Sequence, residues 1–112
     1  MGDDDPRLTM QTGAVLKALL VKPSTPRYGL EISKEAGLPS GTIYPILTRL
    51  EQAGWLDSFW EDIDEAAEGR RKRRYYRLSD KGAVKGRQAL EAASQRLSLG
   101  WLPAPGPGGA RA

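Results

Sequence analysis

The stretch Ser40-Gly41-Thr42-Ile43-Tyr44-Pro45-Ile46-Leu47-Thr48-Arg49-Leu50-Glu51-Gln52-Ala53, followed by Gly54, decides how this chain is to be read. Ile43, Ile46, Leu47 and Leu50 recur at steps of three and four, the spacing that gathers apolar side chains on one stripe of an α-helix. Thr42, Pro45, Arg49 and Gln52 form a row on the opposite side. Ser40 is expected to be the N-cap, its hydroxyl accepting an orphan amide hydrogen, and Gly54 closes the helix. Pro45 is expected to be tolerated because it lies near the helix start, where few amides have partners.

Working outward, residues 1–8 are polar and expected to fray. A helix begins at Thr9, with Val15, Leu16, Leu19 and Leu20 on one face, and stops at Lys22-Pro23-Ser24-Thr25-Pro26. A second short helix is expected from about Tyr28 to Ala36, ended by Gly37. Beyond the quoted stretch, Trp55–Glu61 and Arg70–Leu78 read as two strands joined by a mobile acidic tip, Asp62–Gly69. Alternation buries Tyr76 and Leu78 and leaves basic side chains on both faces near the tip. Ser79-Asp80-Lys81 caps a last helix running to about Leu99, whose Ala83, Gly86, Leu90, Ala93 and Leu97 step by three and four. After Trp101-Leu102 the tail PAPGPGGARA is expected to be disordered. The fold class is therefore mainly α with a small β-hairpin: a disordered start (1–8), a winged helix-turn-helix unit (9–78), a C-terminal dimerisation helix (79–102) and a disordered tail (103–112).

The composition closes several chemistries. Of 112 residues none is histidine or cysteine, which excludes Cys/His zinc sites, thiolate nucleophiles, Ser-His-Asp triads and disulfides. Asp62, Asp64 and Glu65 lack EF-hand spacing. Neither a cofactor, a metal nor catalysis is expected. No apolar run reaches a membrane span, and the acidic MGDDDP start is unlike a signal peptide, so a cytoplasmic protein without membrane contact is expected. The net charge is only +3, yet eight of the 14 acids lie in Asp3–Asp5 and Glu61–Glu68, while six of the 17 bases lie in Arg70–Arg77. Only charges within about 10 Å of a ligand count, so such a basic patch attracts polyanions whatever the total.

Helix, helix, turn, helix, hairpin is the order of a winged helix-turn-helix, whose third helix enters the DNA major groove while the wing follows the backbone. Ser40, Thr42, Tyr44, Thr48 and Arg49 supply donors and acceptors on the third helix, and Gly41 lets its start approach a phosphate. Arg70, Arg71, Lys72, Arg73 and Arg74 would meet phosphates or the adjacent minor groove. Arg49 is expected to read a base, worth about 1–3 kcal/mol if bidentate.

Two separated motifs resemble the PadR family of bacterial transcriptional regulators. They are Tyr28-Gly29-Leu30-Glu31-Ile32 with Gly41 to Glu51 and Gly54-Trp55-Leu56, and Gly69-Arg70 through Arg73-Arg74-Tyr75-Tyr76-Arg77-Leu78-Ser79-Asp80-Lys81-Gly82. The resemblance covers roughly residues 9–90. It implies a homodimeric repressor bound to double-stranded DNA at a palindromic operator, with Tyr44, Pro45 and their neighbours at the DNA and Arg70–Arg73 in the wing. A single helix after the wing matches the short subfamily, with little room for an effector domain; a small-molecule or protein effector stays open. Leu90, Ala93 and Leu97, helped by the first helix and Trp101, are expected at the dimer contact. The competing reading is a winged-helix protein-interaction module whose wing binds an acidic protein surface. Tyr44 can read as a helix brace rather than a contact, Trp55 and Trp60 as core, and Trp101 as a packing anchor rather than the wall of a pocket between subunits.

Overall fold

The computed structural model describes residues 5–98; Trp101 and the tail 103–112, with the expectations attached to them, lie outside the described residues. Among the described residues five helices and three strands follow in the order α1 (Met10–Val21), β1 (Arg27–Tyr28), α2 (Gly29–Ala36), α3 (Ser40–Gln52), β2 (Leu56–Trp60), α4 (Glu65–Glu68), β3 (Arg74–Leu78) and α5 (Asp80–Ser98). The architecture is a winged helix: mainly helical, with an antiparallel sheet of order β1-β3-β2.

The hydroxyl of Thr9 starts α1 by accepting the Thr12 amide hydrogen at 3.1 Å. Residues 5–8, expected to fray, lie against the domain: Leu8 packs on the core and the Asp5 carboxylate pairs with Lys85 at 3.1 Å. The Glu31 carboxylate accepts the Tyr28 amide hydrogen at the start of α2, and Gly37 ends that helix in the left-handed region (φ 70°).

At α3 the cap differs from expectation. Pro39 is the N-cap, its carbonyl accepting the amides of Thr42 and Ile43, and Ser40 is the first helical residue. Pro45 lies beyond the orphan amides of the first turn. The carbonyl it leaves without a helical donor belongs to exposed Gly41, where solvent can satisfy it. Ile43, Ile46, Leu47 and Leu50 are buried as their spacing requires, against Val15, Leu16 and Leu19 of α1, Ile32 of α2 and Trp55, Leu56, Tyr76 and Leu78 of the sheet region. Each such aliphatic side chain contributes about 1.5–3 kcal/mol relative to exposure.

β1 is a two-residue strand that borrows its register from β3, Arg27 opposite Tyr76 and Tyr28 opposite Tyr75. β2 and β3 pair Leu56 with Leu78 and Trp60 with Arg74. The link between them is not featureless: the Asp64 side chain accepts the Ala66 and Ala67 amides to start α4, and Gly69 closes it at φ 71°. At the other end Ser79 accepts the Gly82 amide hydrogen to cap α5 and donates to the Gly54 carbonyl.

α5 runs antiparallel to α1, with Gly86 against Leu16 and Leu20, and Leu90 against Gly13. This corrects the expectation for Ala93 in the last helix. Ala93 is buried and Leu90 packs on the core within one subunit, because small residues let α5 approach α1 closely. Of the residues expected to meet a second subunit, Leu97 is the exposed one among the described residues.

Candidate nucleic-acid interface

Opposite its buried stripe, α3 exposes Gly41, Tyr44, Pro45, Thr48, Arg49 and Gln52, with Ser40 and Thr42 half-buried at its start. Tyr44 is both exposed and a brace. It is 44% exposed, yet its ring sits where a side chain on Gly29 would be: a Cβ there would lie 2.7 Å from the ring carbon Cε1. The Thr48 hydroxyl donates to the Tyr44 carbonyl at 3.0 Å, which leaves its oxygen able to accept.

The wing bases fall into two groups. Arg70 forks onto Glu61 with two hydrogen bonds of 2.7 and 2.8 Å, and the Arg73 amide donates to the same carboxylate. The Arg70 guanidinium, aided by the Arg73 amide, holds the Glu61 carboxyl down at about 2, well below the usual carboxylate range. Arg74 donates to the Ser58 hydroxyl at 2.7 Å and stands 3.7 Å from Glu51, and Ser58 donates to Glu51. Those three side chains tie the last turns of α3 to the wing. Arg71 and Lys72 are exposed, and neither side chain has a carboxylate partner among the described residues; only the Lys72 amide is held, by Glu65 at 2.7 Å. The sequence reading treated all five bases as equivalent, whereas Arg70 and Arg74 are bound internally.

The sheet's outer face carries a ladder of aromatic and cationic groups. Arg73 lies over Tyr28 at 4.4 Å, Tyr28 meets Tyr75 edge-on at 5.5 Å, Tyr75 stacks on Phe59 at 5.9 Å, and Arg77 caps Phe59 at 5.9 Å. Tyr76 is buried on the other face, and desolvation pushes its hydroxyl pKa up. Trp55 is core, but Trp60 is not: it stands 58% exposed under the Arg74 guanidinium, because the wing tip extends past the helices that could cover it.

Sequence reasoning missed Arg27. Buried to 6% exposure, it pairs with Glu35 of α2 at 2.8 Å and donates to the Leu19 carbonyl of α1 at 2.8 Å, joining the two helices ahead of α3. Its signal was faint, since one arginine after a proline reads as surface. Among the described residues no group of carboxylates is placed to hold a metal, and no helix is long and apolar enough to cross a membrane.

Known proteins place the fold and the family. The profile of the Transcriptional regulator PadR-like family matches residues 15–91. No curated protein matches the chain. Among solved structures the chain is similar to reduced AbfR bound to DNA (27% identity, TM-score 0.61, 79% of this chain and 56% of that one). It shares its fold with the transcriptional regulator homologue protein from Pyrococcus horikoshii OT3 (18%, 0.62, 81% and 83%). The PcaV transcriptional regulator from Streptomyces coelicolor, in complex with its natural ligand, has the same fold (24%, 0.63, 85% and 61%). The family match spans well over half of the sequence, and the chain belongs to the PadR-like family of transcriptional regulators, not to an enzyme family.

Proposed function

We propose that the chain is a cytoplasmic, sequence-specific double-stranded DNA-binding repressor that acts as a homodimer on a palindromic operator. The observation that carries this reading is the Glu51–Ser58–Arg74 clamp. A groove reader needs its helix and wing at a set angle, and this clamp joins the two elements that would touch DNA. The exposed Gly41, Tyr44, Pro45, Thr48 and Arg49 supply the groove face, with Ser40 and Thr42 at the helix start. Arg71 and Lys72 supply the wing's phosphate contacts, with Arg70, Arg73 and Arg74 shaping the strand that presents them. AbfR, a similar protein, has been crystallised on DNA.

A second copy fits at the far end of α5. Leu97 is exposed there, on the side where antiparallel packing brings the start of α1 and its exposed Met10. A dimer would set two copies of α3 about 34–36 Å apart, one helical turn of duplex. Selection of bound fragments from a random DNA pool is expected to return a consensus of two inverted half-sites about 10 base pairs apart. Sedimentation should report two subunits. Retention on heparin without competition by any duplex at low salt would overturn the proposal in favour of a protein-interaction module.

A further inference from the structure

On the flank of α3 away from the wing, a cleft of about 600 Å³ opens between the N-terminal segment, the end of α3 and the first turn of α5. Arg49 and Glu51 are two residues apart on α3 and so project to opposite flanks; Glu51 faces the wing clamp and Arg49 lines the cleft. Arg7 from the N-terminal segment and Lys81 from α5 line it as well.

The three cations lack a matching counter-charge. The cleft's one acid is Asp5, and its carboxylate is held by Lys85 at 3.1 and 3.4 Å. Lys81 donates one hydrogen to the Ala53 carbonyl at 3.1 Å and keeps two more. Arg7 and Arg49 are exposed, and neither has a carboxylate partner among the described residues. Like charges converge in such a concavity only at a cost, which an anion there removes.

We infer that this cleft takes a phosphate of the DNA strand bordering the groove, on the side opposite the wing. The inference rests on the DNA reading above and adds Arg7 and Lys81 to the contact surface. It also changes the part given to Arg49: the guanidinium neutralises backbone rather than reading a base, so its loss weakens every sequence alike. The recognition helix is then held between two rows of phosphate contacts.

The test is the salt dependence of binding, by fluorescence anisotropy, on the selected operator and on an unrelated duplex. Arg7 and Lys81 share one phosphate with Arg49, so Arg7→Ala and Lys81→Gln are each expected to lower the log–log salt slope, by up to roughly 0.9 when combined, with equal fold-losses on both duplexes. Arg49→Ala should do the same, and Arg71→Ala in the wing serves as reference; unchanged melting temperatures exclude misfolding. An unchanged slope in Arg7→Ala and Lys81→Gln, beside a reduced slope in Arg71→Ala, overturns the cleft and leaves the DNA reading standing. Failure of the unaltered protein to bind any duplex overturns both. Inorganic phosphate titrated against the amide resonances of Arg49, Gly54 and Lys81 then assigns the source. Saturable shifts make it a free-phosphate site and reject the DNA contact; their absence, beside the reduced salt slopes, supports the duplex backbone as the source.

Discussion

The two flanks of α3 handle charge in opposite ways. On the wing side two bases have an acid against them, Glu61 for Arg70 and Glu51 for Arg74, and Arg71, Lys72 and Arg77 are left as exposed cations. On the far side Arg7, Arg49 and Lys81 converge while the neighbouring Asp5 is drawn off to Lys85. Paired charges hold shape, and unpaired ones attract a ligand. A count of arginines along the wing therefore overstates its pull on a polyanion, and the quieter flank has more charge on offer than the sequence suggests.

The strongest way to break this contrast is at Gly82, which keeps α5 close enough for Lys81 to reach α3. A Cβ there would lie 2.7 Å from the Trp55 carbonyl carbon, and that backbone cannot swing aside. Gly82→Ala is expected to cost about 3 kcal/mol or more in chemical denaturation. Gly86→Ala, where the added carbon would meet Leu16 at 3.5 Å, is expected to be neutral or stabilising by up to about 1 kcal/mol. Equal behaviour of the two would mean that α5 does not fix the far flank.

Glu51→Ala attacks the paired flank. Losing the hydrogen bond from Ser58 and the ion pair with Arg74 should lower stability by about 1 kcal/mol. Binding to an unrelated duplex should tighten, because Arg74 is released toward phosphate; weaker binding with unchanged stability would show that the clamp serves orientation alone. Arg71→Ala is expected to stay within about 0.5 kcal/mol of the parent in stability. It should reduce the salt slope by roughly 0.9.

The smallest effect is invisible at neutral pH. With its carboxyl held at about 2, Glu61 adds stability above its ordinary value of 4.5 that is lost as pH falls from there through about 2. The Glu61 carboxyl resonance and the Arg73 amide are expected to titrate together near the lower value. Titration near 4.5 would instead place Arg70 among the bases open to DNA.

What could be read in advance follows physical range. The buried set of α3 and the inward Tyr76 and Leu78 were legible because periodicity reports burial of a regular element against one core. β1 was missed because two residues carry no period, and its register comes wholly from Tyr75 and Tyr76 far along the chain. α4 escaped because a single turn capped by Asp64 and closed by Gly69 looks like a polar link. Ser40 was taken as the cap on side-chain preference, although the Pro39 carbonyl does that work from the backbone. The exposure of the outward row of α3 was foreseen. The split of the wing bases and the cleft were not, since Glu61–Arg70 and Arg7–Arg49–Lys81 are partnerships made by tertiary proximity. Ala93 turned out to be buried within the subunit for a related reason: a stripe of small residues says that a helix is approached closely, and not by which chain.

Gly29 and Tyr44 belong to different helices, yet the aromatic ring fills the notch left by the missing side chain. Neither position can evolve alone. Enlarging the glycine would evict the ring from its socket and tilt α3, while shrinking the tyrosine would leave the notch empty. Paralogues with new sequence preferences should therefore vary at Thr48 or Pro45 and keep this lock and key intact.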